Sequence, residues 1–172
     1  MSAINCYSEY SSGNYPFWVT GEIDSEATLP KDIRKGDVKM KKTDLAYIAG
    51  FFDGEGCIYI GKSGGWHHLR VTASQANEWI ITWLKFSFGG SVNKMTCETG
   101  YRQRWQWHAE GSNAYEFLTS ILPYIKLKKA EAELAIQFQE ARRGKGFHVT
   151  DKQRAIDEVN RILMSNLKDK SR

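Results

Sequence analysis

The chain has 172 residues and a net charge of +4, and 41% of its residues are hydrophobic. This length suits one domain with a sizeable core. The sequence has no apolar run long enough to cross a membrane and no signal peptide, which excludes a membrane-spanning protein and argues against a secreted one. Its three cysteines are scattered, with no metal-ligand spacing and no obvious disulfide plan, so we expect an intracellular protein in a reducing setting.

The composition changes near residue 40. Residues 1–40 carry four Lys and Arg against six Asp and Glu, whereas residues 41–172 carry 20 against 14. The first segment opens with a Ser-, Gly- and Asn-rich stretch, contains Pro16 and Pro30, and predicts no complete helix or strand. We expect a loosely ordered N-terminal extension in residues 1–40 and one domain in residues 41–172, with Met40 as a candidate functional start. The basic excess of the domain is compatible with nucleic acid but does not require it.

The first predicted helix begins near Thr43, whose hydroxyl is expected to cap it, with Asp44 in the first turn. Small residues lie four apart on one face of this helix, at Ala46, Gly50 and Gly54. Such a stripe lets two helix backbones approach closely. The segment Gly54–Gly56 is expected to end the helix, because two glycines favour chain reversal.

Glu55 is consequently held at the exit of this helix between two glycines that leave it unshielded. A close-packed pair of such helices would bring two of these acids side by side. Two adjacent carboxylates are a charge pattern that suits a divalent cation. A buried amphipathic helix with a Gly-rich end is the alternative interpretation of the same stretch.

Strands and helices alternate in the rest of the chain. Period-2 patterns predict strands at 57–60, 69–73, 91–95 and 102–109, arranged as two hairpins. Helical spacing predicts one helix over 79–88, one from a Ser112 cap to Pro123, one over 128–142, and a last helix after a capping box at Thr150–Gln153.

Alternation along the strands divides their residues between two faces. Leu69, Val71 and Ala73 face the core, as do Trp105, Trp107 and Ala109. The outward face carries groups able to hydrogen-bond base edges, namely Tyr59, His68, Arg70, Thr72, Asn93, Arg102, Arg104, Gln106 and His108. A polar solvated face is the alternative, although Lys and Glu normally dominate such a surface.

The string Ile48–Gly56, IAGFFDGEG, resembles the signature of the LAGLIDADG homing endonucleases, with the small residues, Asp53 and Glu55 in register. Weaker signals follow in the order of that family at Phe88–Gly90 and at Leu122–Lys129. The resemblance covers about residues 43–168. It implies an α+β LAGLIDADG homing-endonuclease fold, an αββαββα core with an antiparallel, saddle-shaped sheet and extra C-terminal helices.

The resemblance also implies a function. A single motif supplies half an active site, so we expect a homodimer that cuts both strands of a long, nearly palindromic double-stranded DNA site. Glu55 and the Gly54 carbonyl would bind Mg²⁺, with Mn²⁺ as a substitute, and Gln75 and Lys128 would support the reacting water and phosphate. The dimer interface would comprise Ala46, Ala49, Gly50, Asp53 and Gly54. One departure is that Glu78 and Trp79 occupy positions near which some relatives carry a basic residue.

Two other functions stay open at this point. A non-cleaving binder on the same fold, such as an intron maturase that binds intron RNA or a transcriptional regulator, is the chief alternative, although such proteins often lose the acid that Glu55 provides. A homodimer with no nucleic-acid role accords poorly with the outward Arg, Gln and His residues. Enzymes of this kind are encoded in organelle, bacterial, archaeal and phage genomes, so we expect the protein to act where it is made.

Overall fold

A computed structural model describes residues 40–96, 102–142 and 150–170. Five helices and four strands occur in these ranges: α1 (Lys42–Glu55), β1 (Gly56–Ser63), β2 (Trp66–Gln75), α2 (Glu78–Phe88), β3 (Ser91–Lys94), β4 (Trp105–Glu110), α3 (Gly111–Ile121), α4 (Lys129–Arg142) and α5 (Asp151–Lys170). The order αββαββα, followed by further helices, confirms the predicted α+β core. The N-terminal extension expected in residues 1–40 lies outside the described residues, except for Met40.

Helix α1 begins earlier than predicted. Its N-cap is Lys41 rather than Thr43, because the Asp44 carboxylate accepts the backbone N–H of Lys41 at 3.2 Å and closes the first turn there. Its end falls within the predicted segment, but the expected chain reversal is absent, because Gly56 leaves the helix in an extended conformation and starts β1 directly. The predicted Ser112 cap is also wrong. Helix α3 follows β4 directly, because Gly111 adopts a positive φ of 53° that permits this abrupt change of direction.

The strands form one antiparallel sheet in the order β1-β2-β4-β3. Leu69, Val71 and Ala73 are buried on the inner face of β2, and Val71 and Ala73 pair with Ala109 and Trp107 of β4. The predicted division of the two faces is therefore confirmed, although Trp105 is only half-buried. Strand β4 begins later than predicted and leaves Arg102 and Arg104 ahead of it, because Gln103 turns back to donate to the carbonyls of Met95 and Arg104.

Aromatic rings fill the space between the inner face of the sheet and the helices. Phe117 of α3 contacts Phe52, Phe88 and Trp107 edge to face, each with ring centroids 4.9 Å apart. Each of these pairs adds about 1 kcal/mol beyond the area it buries. Because the three partners come from α1, α2 and β4, Phe117 ties the motif helix to α2 and to the sheet.

Helices α4 and α5 pack against each other and beside β1 and β2. Their contact includes an ion pair between Arg142 and the buried Asp157, with Nη1 and Oδ2 2.5 Å apart. One half of the capping box predicted at α5 is present, since Thr150 Oγ1 accepts the N–H of Gln153 at 3.2 Å. The Gln153 amide donates instead to Asp157 Oδ1 at 3.0 Å. Among the described residues, no helix combines the length and apolar character needed to span a bilayer.

Candidate active site and nucleic-acid interface

Antiparallel pairing collects the predicted site residues at one end of the sheet. Strand β1 starts where α1 ends, β2 ends at Gln75, and Gln75 pairs with Trp105 at the start of β4. Glu55, Gln75 and Arg104 therefore share this end, although they are far apart in the sequence. The Gln75 side-chain oxygen accepts the N–H of Ala76 at 2.7 Å, which holds the amide close to the backbone at the end of β2.

Glu55 is an exposed carboxylate in the last turn of α1. It pairs with Arg104, with Nη2 and Oε2 3.8 Å apart and with 51% and 43% of the respective side chains exposed. A pair this open to solvent contributes little to stability, so Glu55 remains available to other ligands. Alternation along the strand predicts Arg104 on the base-reading face, and in the structure its guanidinium lies beside Glu55.

Asp53 faces inward and organises the segment before α4. Its carboxylate accepts three backbone N–H groups, from Lys126 at 2.7 Å, Leu127 at 3.1 Å and Lys128 at 3.0 Å. Lys128 in turn donates its ammonium to the carbonyl of Asp53. These contacts bring the predicted catalytic Lys128 to the end of α1, one residue from the Gly54 carbonyl and two from Glu55.

Two charged residues near this end were missed by sequence reasoning. Glu131 is buried in the first turn of α4, and burial raises the pKa of its carboxyl above the ordinary value, against the opposing effect of the nearby Lys168 and Lys128 charges. Lys168 of α5 lies across β1, with its ammonium 3.1 Å from the Cys57 sulfur and 5.9 Å from the Tyr59 ring centroid. No local pattern in the sequence indicates that α5 packs against β1.

The free face of the sheet carries rows of polar residues across neighbouring strands. Thr72 pairs with His108, and Gln106 pairs with Ser74 on one side and Asn93 on the other. Gln106 donates to the Ser74 hydroxyl at 3.2 Å. Of the predicted base-reading residues, Tyr59, His68, Arg70, Thr72, Gln106 and His108 are half-buried on this face, and Asn93 and Arg102 are exposed.

One row on this face pairs opposite charges. Arg70 lies between Tyr59 of β1 and Glu110 of β4, and its guanidinium contacts the Glu110 carboxylate through both Nε and Nη2. Burial lowers the pKa of Arg70, but its hydrogen bonds to Glu110 and Tyr59 and the electrostatic effect of both residues raise it, and the net pKa is above the ordinary value. Sequence reasoning did not include Glu110, because the predicted strand ended at Ala109.

The small-residue face of α1 divides into two sets. Ala46, Gly50 and Gly54 are exposed, and a Cβ added at Gly50 or Gly54 would meet nothing within 4 Å. Ala49 is fully buried in the core of the protomer, and Asp53 is 8% exposed and occupied by the segment before α4. Ala49 and Asp53 point into their own protomer. Of the five residues predicted at the dimer interface, only the exposed stripe of Ala46, Gly50 and Gly54 can therefore contact another copy of the chain.

Comparison with known proteins gives no sequence relative. No family profile matches the chain, and no curated protein matches it at a significant level.

Solved structures, in contrast, match it over most of its length. The homing endonuclease I-CvuI, in complex with a DNA target and 2 mM Mg, superposes with a TM-score of 0.60 at 20% identity, covering 73% of this chain and 82% of that one. The archaeal intron-encoded homing endonuclease I-Vdi141I, complexed with DNA, gives 0.58 at 14% identity over 73% and 84% of the two chains. The homing endonuclease I-TnaI gives 0.53 at 16% identity over 78% of this chain and 100% of that one. The chain thus has the LAGLIDADG homing-endonuclease fold that its motif predicted.

Proposed function

We propose that this protein is a site-specific DNA endonuclease that works as a symmetric homodimer and hydrolyses one phosphodiester in each strand with a divalent cation. The observation that carries the proposal is the convergence of Glu55, Gln75 and Lys128 at one end of a sheet whose free face carries Arg, Gln, His and Thr. The solved structures of the same fold that are bound to DNA support the same reaction class.

The homodimer is inferred from the exposed stripe on α1. Ala46, Gly50 and Gly54 offer no side chain beyond a methyl group, so a second α1 would approach almost to backbone contact. A two-fold axis through this stripe would bring the ends of two α1 helices together, and with them two copies of Glu55. The isologous interface would require a palindromic or nearly palindromic DNA site.

The donor groups at the end of α1 fit a hard divalent cation. Glu55 supplies an exposed carboxylate, and Gly54 supplies a carbonyl in the last turn, where helix carbonyls have no partner within the helix. Glu55 and the Gly54 carbonyl would hold Mg²⁺, with Mn²⁺ as a substitute. When bound, the cation would activate water and neutralise charge on the phosphate.

The remaining residues of this end would position the reactants. Gln75 would orient water through its amide, which is fixed at the end of β2. Lys128 would place a positive charge next to the scissile phosphate, because its main chain is anchored by Asp53 and its ammonium lies at the end of α1. Arg104 adds a second positive charge beside Glu55. The free face would lie in the major groove, which accepts a β-ribbon and displays a distinct pattern for each base pair.

The test has a binding step and a cleavage step. The full chain is incubated with a randomised, partly palindromic duplex library in Ca²⁺ to enrich bound sites, and the enriched duplex is then incubated in Mg²⁺. The proposal predicts a double-strand cut at one position, with Glu55→Gln binding the same site and failing to cut it. Binding without cleavage in Mg²⁺ or Mn²⁺ would move the protein to the class of non-cleaving binders, such as a maturase or a regulator.

The homodimer is tested separately with Gly50→Leu. The added side chain has room within the protomer, so the variant is expected to fold, and replacing glycine inside a helix favours the helix by about 1 kcal/mol. It would nevertheless separate the two α1 helices. We expect Gly50→Leu to sediment as a folded monomer that neither cuts nor binds the full site, with Lys85→Leu on the exposed part of α2 as the matched control. A dimeric, active Gly50→Leu would contradict the proposed interface.

A further inference from the structure

A row of three residues on the free face of the sheet is built around one guanidinium. Tyr59, Arg70 and Glu110 are directly opposite one another on the neighbouring strands β1, β2 and β4. The Arg70 guanidinium carbon lies 5.7 Å from the centroid of the Tyr59 ring, and the Tyr59 ring packs edge to face on His68 with centroids 6.4 Å apart. Arg70 is therefore held on one side by Tyr59, through its ring and a side-chain hydrogen bond, and on the other side by the Glu110 carboxylate.

The contact with Glu110 uses only one edge of the guanidinium. Both Nε and Nη2 of Arg70 donate to Oε1 of Glu110. A guanidinium has five N–H donors in a fixed plane, so the edge formed by Nη1 and the outer hydrogen of Nη2 is not engaged by this contact. The Arg70 side chain is 37% exposed and the Glu110 side chain 44% exposed, so the pair is accessible from the free face.

The charge of Glu110 is unexpected on this face. A surface that contacts DNA meets a dense row of phosphates, and an unpaired carboxylate there would repel them. An acid is useful at such a position when it orients a base-reading arginine, because a fixed planar fork loses less side-chain freedom on binding than a mobile one.

We propose that Glu110 is a positioning residue that orients Arg70 to read a guanine in each half of the DNA site. The inference rests on the proposed DNA binding but does not depend on cleavage. Arginine contacts guanine through O6 and N7 with two parallel hydrogen bonds, and the edge opposite Glu110 has the matching pair of donors. In a homodimer, the same guanine is specified once in each half-site, at symmetric positions.

The experiment compares the base preferences of wild type and Glu110→Gln by enriching bound duplexes from a random library in Ca²⁺, followed by competition binding of single-base variants. Wild type is expected to enrich one guanine per half-site, and Glu110→Gln to weaken discrimination at that position about tenfold, as expected for loss of one bidentate contact. Its binding to non-specific DNA should be unchanged or tighter, because a negative charge is lost. Glu133→Gln, which removes an exposed acid from α4, is the matched control and should leave the base profile unchanged.

Two further variants separate orientation from a general structural role. Arg70→Lys keeps the positive charge without the fork, so the guanine preference should fall even with Glu110 intact and the fold undisturbed. In an Arg70→Ala background, Glu110→Gln should have no further effect on base preference, because the carboxylate acts through Arg70.

The outcomes are distinguishable from those of the proposed function. An unchanged guanine preference in Glu110→Gln, or no guanine preference in wild type, overturns this inference and leaves the endonuclease proposal standing. A selected site that is bound but not cut in Mg²⁺ overturns the endonuclease and leaves the inference standing. A wild-type chain that selects no DNA sequence overturns both.

Discussion

Asp53 is predicted to contribute more to stability than any other acid at the end of α1. Its carboxylate accepts three backbone N–H groups from residues 126–128 in a nearly buried environment. Hydrogen bonds to charged groups contribute about 1.5–3 kcal/mol each, and neutral ones about 1 kcal/mol. In Asp53→Asn, one oxygen becomes a donor and the charge is lost, so at most two neutral bonds can replace three charge-assisted ones.

We therefore expect Asp53→Asn to lower the free energy of unfolding by about 2–4 kcal/mol, and Asp53→Ala by about 3–5 kcal/mol, since all three donors then lack an acceptor. The matched control is Asp44→Asn, which affects a single exposed acceptor contact to Lys41 and should cost about 1 kcal/mol or less. The difference between the two Asn variants isolates the effect of the buried segment before α4.

The assay is equilibrium urea unfolding followed by tryptophan fluorescence, which reports on the buried Trp107. All variants are measured at one protein concentration, because any association of protomers would couple stability to concentration. A cost for Asp53→Asn within 0.5 kcal/mol of zero, or no larger than that of Asp44→Asn, would refute the reasoning, on the usual threshold for surface substitutions of about 0.5 kcal/mol.

Three further predictions concern charge and backbone geometry. Arg104→Met should lower the Mg²⁺ concentration needed for half-maximal cleavage roughly threefold, because it removes a side-chain cation that competes with Mg²⁺ for Glu55. The substitution should also slow the maximal cleavage rate. A higher Mg²⁺ requirement would contradict this prediction. Hydrogen bonds from Arg161 and then His67 lower the pKa of Glu158 from 4.5 to about 2. The stabilisation of the folded state by the Glu158 carboxylate is therefore present above pH 4.5 and is lost as the pH falls towards 2. Glu158→Gln should flatten the acid-unfolding curve in that window, and an unchanged slope would count against this prediction. Gly90→Ala places a Cβ 2.3 Å from the His108 carbonyl oxygen, whereas Gly65→Ala meets nothing within 4 Å at a similar positive φ. Gly90→Ala should therefore be less stable than Gly65→Ala by at least about 2 kcal/mol in thermal or urea unfolding. Equal costs of the two substitutions would argue against the close approach.

The sheet and its two faces could be predicted from the sequence because a period of two is a local property. Leu69, Val71 and Ala73 alternate with polar residues, and their burial follows directly. His67 has the same parity but is polar, and its burial depends on Glu158 of α5, whose carboxylate lies 2.8 Å from Nε2. A partner 91 residues away leaves no trace in the local pattern.

The candidate site was predictable only where the motif names its residues. The family resemblance named Glu55, Gly54, Gln75 and Lys128, and these residues lie at the ends of α1 and β2 and in the segment before α4. The position of Arg104 could not be predicted, because it depends on where β4 begins, and hence on the contacts of Gln103 rather than on alternation. Lys168 and Glu131 approach the site through the packing of α4 and α5, which follows from the whole core rather than from any one segment.

Glu55 at the end of α1 is the residue that we propose performs metal-dependent cleavage of DNA. The most direct measurement is the single-turnover cleavage rate of the selected duplex in Mg²⁺ with saturating wild type, Glu55→Asp or Glu55→Gln. The account predicts that Glu55→Gln binds the duplex as wild type does but cuts it at least about 10³-fold more slowly, whereas Glu55→Asp, which keeps the charge, retains part of the rate. Cleavage by Glu55→Gln within about tenfold of wild type would contradict the claim, since a tenfold rate effect corresponds to only about 1.4 kcal/mol.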